Sequence, residues 1–447
     1  MSTKAKKTGF WNVLDRLEGD KIIWMIVFFL IIFSILAVSS STSLLAIQQK
    51  SSRLSFAMEQ ILMAAVGLGI IAGLCKIGKI GIFRFFSQGL FVLSFLLLAF
   101  LASHFTKIPF FRPVNINQAW RCISVFGFQL HVFEFVKVFM VMYIAWAMDA
   151  LKTNRTPLAD RLAKKPHLEF MAKKEAKVCF YVLFPIAIIT LLIALGSNSS
   201  AMFIGLVMVV TALVGGLDLK YIIYVMLLGI VGVGLIFGVY KISDGKVFGR
   251  LELIERRVKL ALADPLERLH AEKPGTLKFQ KILDETMQPV SAKVAVSEGG
   301  FFGKGPGNST QRYVVSVMYE DYIFSFIVEE YGMIGALVIL ILYGSLLARG
   351  SIIVRNCDNH YAKTMIAGLV LLVSGQALMH ILINVDLFPL TGQTLPMISH
   401  GNSSFLAFSL VFGVLLSVSK MAQKKIEQET AARSEERRVG KECRSRW

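Results

Sequence analysis

Four groups of residues in this 447-residue chain combine types and spacings that could do chemistry. Asp321 lies in the run Tyr319 to Gly332, and Ser325 and Glu329 follow it at i+4 and i+8, on one helical stripe. A carboxylate beside apolar surface holds its proton more tightly than in water and can serve as a general base; the plainer reading is an acidic residue complementing a helix N-terminus. Glu134 and Lys137 place opposite charges three residues apart in an apolar stretch, as a structural ion pair or as groups facing a cavity. Gly299 to Ser309 holds five glycines around Lys304. Glycines let backbone approach a ligand, and the lysine could meet phosphate, although P-loop spacing is absent and a flexible linker is the plainer reading. Pro389 to Ser404 carries two prolines and two glycines, which oppose a continuous helix. Irregular backbone at membrane depth is tolerated only where it is buried in protein or lines a cavity.

Metal chemistry has weaker support. His104, His131, His380 and His400 share no ligand spacing, and the five cysteines form no CxxC or Cys/His pattern. No zinc site or disulfide framework is implied.

The elements that must position these residues are membrane spans. The chain is 55% hydrophobic and only 17% charged, with a mean hydropathy of +0.62. That composition excludes an ordinary soluble enzyme, a disordered chain and a disulfide-framed secreted domain. Apolar runs long enough to cross a bilayer fall at 22–38, 56–75, 85–103, 132–148, 178–195, 201–214, 221–240, 322–347, 365–385 and 405–418, the sixth and tenth being short. About ten transmembrane helices put both termini on one side, and no cleavable signal peptide is seen. With the N-terminus cytoplasmic, the inside segments hold 23 Lys and Arg against five on the short outside loops, so the positive-inside rule places both ends in the cytoplasm. The net charge of +18 is thus mainly a topological label rather than a nucleic-acid signal.

The expected architecture is an all-α integral membrane protein: a cytoplasmic tail (1–21), a membrane domain (22–418) with one large extracytoplasmic loop (241–321) between the seventh and eighth helices, and a cytoplasmic tail (419–432). Within the loop, 251–262 mixes leucines and charges as a surface-lying amphipathic helix does. The last stretch, 433–447, reads as the in-frame translation of a sequencing-library adapter beginning AGATCGGAAGAGC. Without it the net charge falls to +15.

In this order among ten spans, the four segments resemble the SEDS family of bacterial cell-wall glycan polymerases, the FtsW/RodA type. The strongest matches are Gly299 to Gln311, Asp321 to Gly335 (family pattern T-D-F-I-F, then E-E-x-G) and Pro389 to Ser404 (P-x-T-G-x-x-L-P-F-I-S-Y-G-G-S-S). Weaker ones are Glu134 with Lys137 and the Arg121 neighbourhood. Departures include Cys122 for the pattern's Trp, Val132-Phe133 for Pro-Ser, Ser197 where many members carry Asp, and His400 and Asn402 for Tyr and Gly. The Ser197 change argues for a dispensable or structural position. The variant last loop leans toward a division-type member.

The resemblance implies a peptidoglycan glycosyltransferase that polymerises lipid II on the outer face of the bacterial cytoplasmic membrane, at the division septum. A base must take the proton of the acceptor sugar 4-hydroxyl, and positive charge must meet the departing lipid pyrophosphate. Asp321 is the expected base. Arg121, Lys137 and Lys304, with a divalent cation such as Mg2+ or Mn2+ of unknown site, are expected at the pyrophosphate. Glu134 would orient Lys137, and Ser399 would shape the cavity. Expected partners are lipid II, a single-span class B penicillin-binding protein and other division proteins. A lipid II flippase, an elongation-type polymerase and an inactive scaffold are the alternatives. A carrier would place its site nearer the bilayer midplane.

Overall fold

The structure is a computed structural model. It describes residues 18–103, 111–116, 119–126, 128–224, 273–315, 318–388 and 391–444, with isolated positions between 227 and 234. Helices α1 (Lys21–Ser41), α2 (Arg53–Cys75) and α3 (Ile80–Ser103) precede a three-stranded antiparallel sheet of β1 (Phe111–Ile116), β2 (Ala119–Val125) and β3 (Phe128–His131), in the order β1-β2-β3. Then follow α4 (Val132–Lys152), α5 (Lys174–Ala194), α6 (Asn198–Val214), α7 (Leu277–Gly299), α8 (Ile323–Asn356), α9 (His360–Asn384) and α10 (Asn402–Arg444). Nine of the ten expected spans correspond to described helices. The seventh is helical at 219–224, and its remainder lies mostly outside the described residues, as does the expected amphipathic helix at 251–262.

The fold is mostly helical as expected, and the small sheet is an addition that the all-α expectation did not include. The sheet's register pairs, such as Cys122 opposite His131 and Val114 opposite Cys122, fasten the α3–α4 connection. Cys122 is fully buried, and burial pushes its thiol up to about 12.

Helix α4 is buried almost all round, from Val132 to Ala150, and is the central post of the bundle. Small residues let neighbours close on it and on each other. Gly368 of α9 sits against Val141 and Thr211, Gly215 against Met148, and Gly67 of α2 against Phe405 and Ser409 of α10. The outer helices keep apolar side chains exposed, Phe85 at 75% and Leu62 at 63%, which suits a lipid-facing surface and would be a liability in water. Pro185 explains the π-helical turn Cys179–Leu183 inside α5: it has no N–H for the Tyr181 carbonyl, which instead accepts from the Tyr143 hydroxyl at 3.1 Å.

Helix α8 is broken at Gly332, whose φ of 67° and ψ of −165° are open essentially to glycine alone. The glycine-rich segment threads the break. Lys304 N and Gly305 N donate to the carbonyls of Glu329 and Glu330 at 2.8 and 2.9 Å, while Met333 N donates back to the Gly300 carbonyl at 3.0 Å. A Cβ on Gly303 would stand 2.2 Å from the Glu330 carbonyl oxygen, and one on Gly332 would stand 2.4 Å from Gly303 N. The close approach that these glycines permit is therefore to the protein's own backbone. The expectation of a ligand-approaching or freely flexible segment gives way to a loop–helix interlock.

At the bundle end remote from Asp321, Asp20 caps α1 by accepting from Ile22 N at 2.9 Å, and it also accepts from Arg349 Nε at 2.9 Å. Arg84 pairs with Asp149 there at 2.7 Å.

Candidate functional site

The site is built at the end of the bundle where α4 and α9 meet the approach to α8 and the loop before α10. Asp321 is half-buried just before α8, and its main-chain carbonyl accepts from Asn384 Nδ2 at 3.1 Å. The same Asn384 accepts from Ser325 N through Oδ1 at 2.9 Å, so the end of α9 orients the start of α8. The loop before α10 folds over this corner. A Cβ at Gly392 would lie 3.8 Å from Asp321 Oδ2. Ser399 donates from Oγ to the Glu320 carbonyl at 2.9 Å, and His400 N donates to the Tyr319 carbonyl at 3.0 Å.

That loop is irregular and buried from Gln393 to Ser399, so its backbone oxygens need partners. They find them in helix side chains. Gln376 Nε2 donates to the Thr394 carbonyl at 2.9 Å, the Tyr343 hydroxyl to Pro396 at 2.5 Å and Ser34 to Ile398 at 2.8 Å. His380 Nδ1 lies 2.7 Å from the Gln393 carbonyl. The first residues of the segment, 389 and 390, lie outside the described residues. The sequence-based expectation of a broken, protein-buried segment agrees with this arrangement.

Lys137 is almost wholly buried, and its Nζ donates to Glu134 Oε1 at 2.7 Å, Gln376 Oε1 at 2.6 Å and Gln393 Oε1 at 3.4 Å. The ion pair therefore also holds the loop. It is not fully self-satisfied, because Glu134 Oε2 is buried without a partner among the described residues.

Arg121, on β2, donates from Nε to the Gly196 carbonyl at 3.4 Å and lies within electrostatic reach of Glu320. Glu320 was not singled out from sequence. Burial, together with the nearby charges of Asp321 and Glu134, pushes its carboxyl up to about 8, with Arg121 opposing. The available signal was its position beside Asp321, where the family pattern has a threonine. His131 at the α4 entrance is pushed below its usual range mainly by burial.

The structure thus gathers Arg121, Glu134, Lys137, Asp321 and Ser399, with Glu320 added, and leaves Lys304 elsewhere. Lys304 Nζ donates to Glu329 Oε1 at 2.8 Å, to Thr310 Oγ1 at 2.8 Å and to Glu298. Glu329 is fully buried and also accepts from Ser309 Oγ at 2.5 Å and Thr310 N at 2.8 Å. These contacts secure the interlock at the α8 break. Ser197 caps α6, accepting from Ser200 N at 3.3 Å, a task Asp performs equally well, which supports its structural reading. The histidines are scattered: His400 Nδ1 lies 3.1 Å from Gln60 Oε1, and His104 is outside the described residues. Among the described residues no group of three or more His, Cys, Asp or Glu side chains is placed to hold a metal ion.

Comparisons with known proteins follow this geometry. The chain is 26% identical over 412 residues to the stage V sporulation protein E of Bacillus subtilis, covering 91% of this chain and 99% of that protein. It is 26% identical over 353 residues to the B. subtilis protein named "Probable peptidoglycan glycosyltransferase FtsW", covering 78% and 77% of the two chains. A Caulobacter vibrioides protein of the same name matches at 35% identity over a shorter stretch, 32% of this chain and 37% of that one. Among solved structures, a chain from a peptidoglycan synthase complex described as coordinating polymerization and crosslinking superposes with a TM-score of 0.59 at 20% identity, covering 90% of this chain and 98% of that chain. The rod shape determining protein RodA of Thermus thermophilus does so with 0.55 at 19% identity, covering 91% and 98%. The profile of the FtsW/RodA/SpoVE family, described as cell cycle proteins, matches residues 20–424, and the chain belongs to that family.

Proposed function

We propose that this protein polymerises lipid II into glycan strands at the outer face of the cytoplasmic membrane during cell division, with Asp321 as the base. The observation that carries the reading is the convergence of Asp321, Glu320, Arg121 and the Glu134–Lys137 pair beneath the buried loop before α10. Asp321 takes the proton of the acceptor sugar 4-hydroxyl as that oxygen bonds to the donor's anomeric carbon. The bond from that carbon to the pyrophosphate oxygen breaks, and undecaprenyl pyrophosphate leaves with the bonding pair. Arg121 meets the developing phosphate charge. Lys137, held by Glu134, Gln376 and Gln393, sets the loop and supplies positive potential from below. Glu320, kept protonated below about pH 8, spares the pyrophosphate a second anion beside Asp321. Apolar faces of the outer helices take the polyprenyl tails.

A Mg2+ or Mn2+ ion would enter with the substrate pyrophosphate, and loss of polymerisation on chelation would test its need. The charge asymmetry between the ends supports cytoplasmic termini and an outward-facing Asp321. A class B penicillin-binding protein is the proposed partner, and the septum the proposed location. The decisive assay is polymerisation of labelled lipid II by the purified protein, with and without that partner. Asp321→Asn should abolish glycan formation while leaving folded yield unchanged, and near-normal polymer in this variant would refute the assignment. Flipping without polymerisation would favour the transporter reading.

A further inference from the structure

A cavity lies at the bundle end opposite Asp321. Its volume is about 790 Å³, within the range of small-molecule sites. The separation from the first site is set by α4: Glu134 belongs to one end, and Lys152, 18 residues on and so about 27 Å along the axis, lines this cavity. Four lysines line it (Lys152, Lys174, Lys177 and Lys363), together with His360 and one carboxylate, Asp218. Lys177 is committed to Asp160 at 2.8 Å and Lys174 to Asp218 at 3.5 Å. Among the described residues Lys152 and Lys363 form no ion pair. His360 opens α9, so the positive end of a 25-residue helix is presented at the same wall.

One buried polar atom there has no partner among the described residues, the Tyr221 hydroxyl, on a side chain only 4% exposed; His360 Nδ1 makes no hydrogen bond and lies 3.9 Å from Asp149 Oδ1. Buried polar groups are normally satisfied, so a buried hydroxyl left open beside unpaired lysines calls for a ligand. Asn154 and Thr364 add polar groups, while Met148, Leu151, Val178, Val214, Leu217 and Val354 make an apolar portion of the wall.

We propose that this cavity binds a phosphate-bearing amphiphile, an anionic phospholipid headgroup, with Lys152, Lys363 and the Tyr221 hydroxyl on the phosphate and the apolar wall against its glycerol and upper acyl carbons. Basic pockets between helices at the cytoplasmic end of a membrane protein are suited to such headgroups. A free phosphate ion would use the same polar groups and leave the apolar wall unused. The site is independent of the chemistry at Asp321.

The test is thermal melting of the purified full-length protein in detergent, titrated with phosphatidylglycerol, phosphatidylcholine or sodium phosphate. Phosphatidylglycerol should raise the melting temperature saturably and phosphatidylcholine should not. Each lysine near an anionic surface is worth about fivefold in affinity, so Lys152→Ala with Lys363→Ala should weaken the response about 25-fold. Arginine at both positions should restore it, and Tyr221→Phe, which keeps the ring, should weaken it less. Saturation by phosphate alone with the same residue dependence would support the site with a soluble anion as occupant. Equal responses to the two lipids, or phosphatidylglycerol binding unchanged both in the alanine pair and in Tyr221→Phe, would overturn the proposal.

Discussion

Lys137 and Lys304 each meet a glutamate, Glu134 partly buried and Glu329 fully buried, yet the two settings differ in what is left over. At Lys304, both oxygens of Glu329 are filled by the lysine, by Ser309 and Thr310 side chains and by main-chain N–H groups, and the glycines beside them press on the backbone of α8. Among the described residues the Lys304–Glu329 pair has no open oxygen, although the neighbouring Glu330 Oε2 and Arg312 Nε are buried without a hydrogen-bond partner. At Lys137, Glu134 keeps an unpartnered buried oxygen, Glu320 is pushed toward its neutral form, and Asp321 lies half-buried beneath Gly392. Saturated polar groups hold a fold, whereas those with open valences are placed for something that arrives later.

Substitutions can break this contrast. The largest effect is expected from Asp321→Asn, since loss of a general base costs about 10² to 10⁴ in rate; polymerisation should fall that far with the melting temperature within a degree or two of the parent. Glu329→Ala should do the reverse. It leaves Lys304 with Glu298 as its remaining charged partner among the described residues, strands the Ser309 hydroxyl and the Thr310 N–H and opens the α8 break. Removing one partner of a buried network costs about 3–5 kcal/mol, so denaturation should show a large loss of stability and activity should track folded fraction. A rate defect in fully folded Glu329→Ala would erase the distinction between the two regions.

Lys304→Ala sharpens the same point at smaller scale. The side chain is 24% exposed, so about 1–2 kcal/mol of stability should go while rate per folded molecule holds. A selective fall in the rate would return Lys304 to the pyrophosphate. Lys137→Met separates roles within the site: loss of fold in a melting experiment indicates a post for the loop, and loss of rate in folded protein indicates a part in the chemistry.

The smallest effect is a pH dependence. Glu320 ionises near pH 8 in the folded protein and near its usual acidic value when unfolded, so the folded state binds the extra proton between those limits and stability falls as pH rises through that window. Above pH 8 the new charge also opposes the pyrophosphate. Polymerisation should therefore decline severalfold on the alkaline side, and Glu320→Gln should flatten that limb; an unchanged profile would remove Glu320 from the site.

Much of this was legible one residue at a time. Hydropathy marks a span because every residue in it must suit hydrocarbon, and the prolines and glycines of 389–404 forbid a helix by local sterics. The sheet at 111–131 was missed because its strands are only four to seven residues long and polar and apolar residues mix in them, a weak local signal beside the long spans. Glu320 was missed because its significance depends on Glu134 and Arg121, which are distant in sequence.

By itself the sequence determined that the chain lives in a membrane, which stretches form most of its apolar helices, and which motif residues were worth testing. These follow from transfer energies and backbone sterics that act locally. Only the tertiary structure decided that the glycines of 299–307 serve the protein's own helix, that Lys304 stands apart from Asp321, and that a basic cavity exists at the other end. Each depends on which residues remote in sequence fill one another's hydrogen-bonding groups, and pairing of that kind leaves no trace in a local pattern.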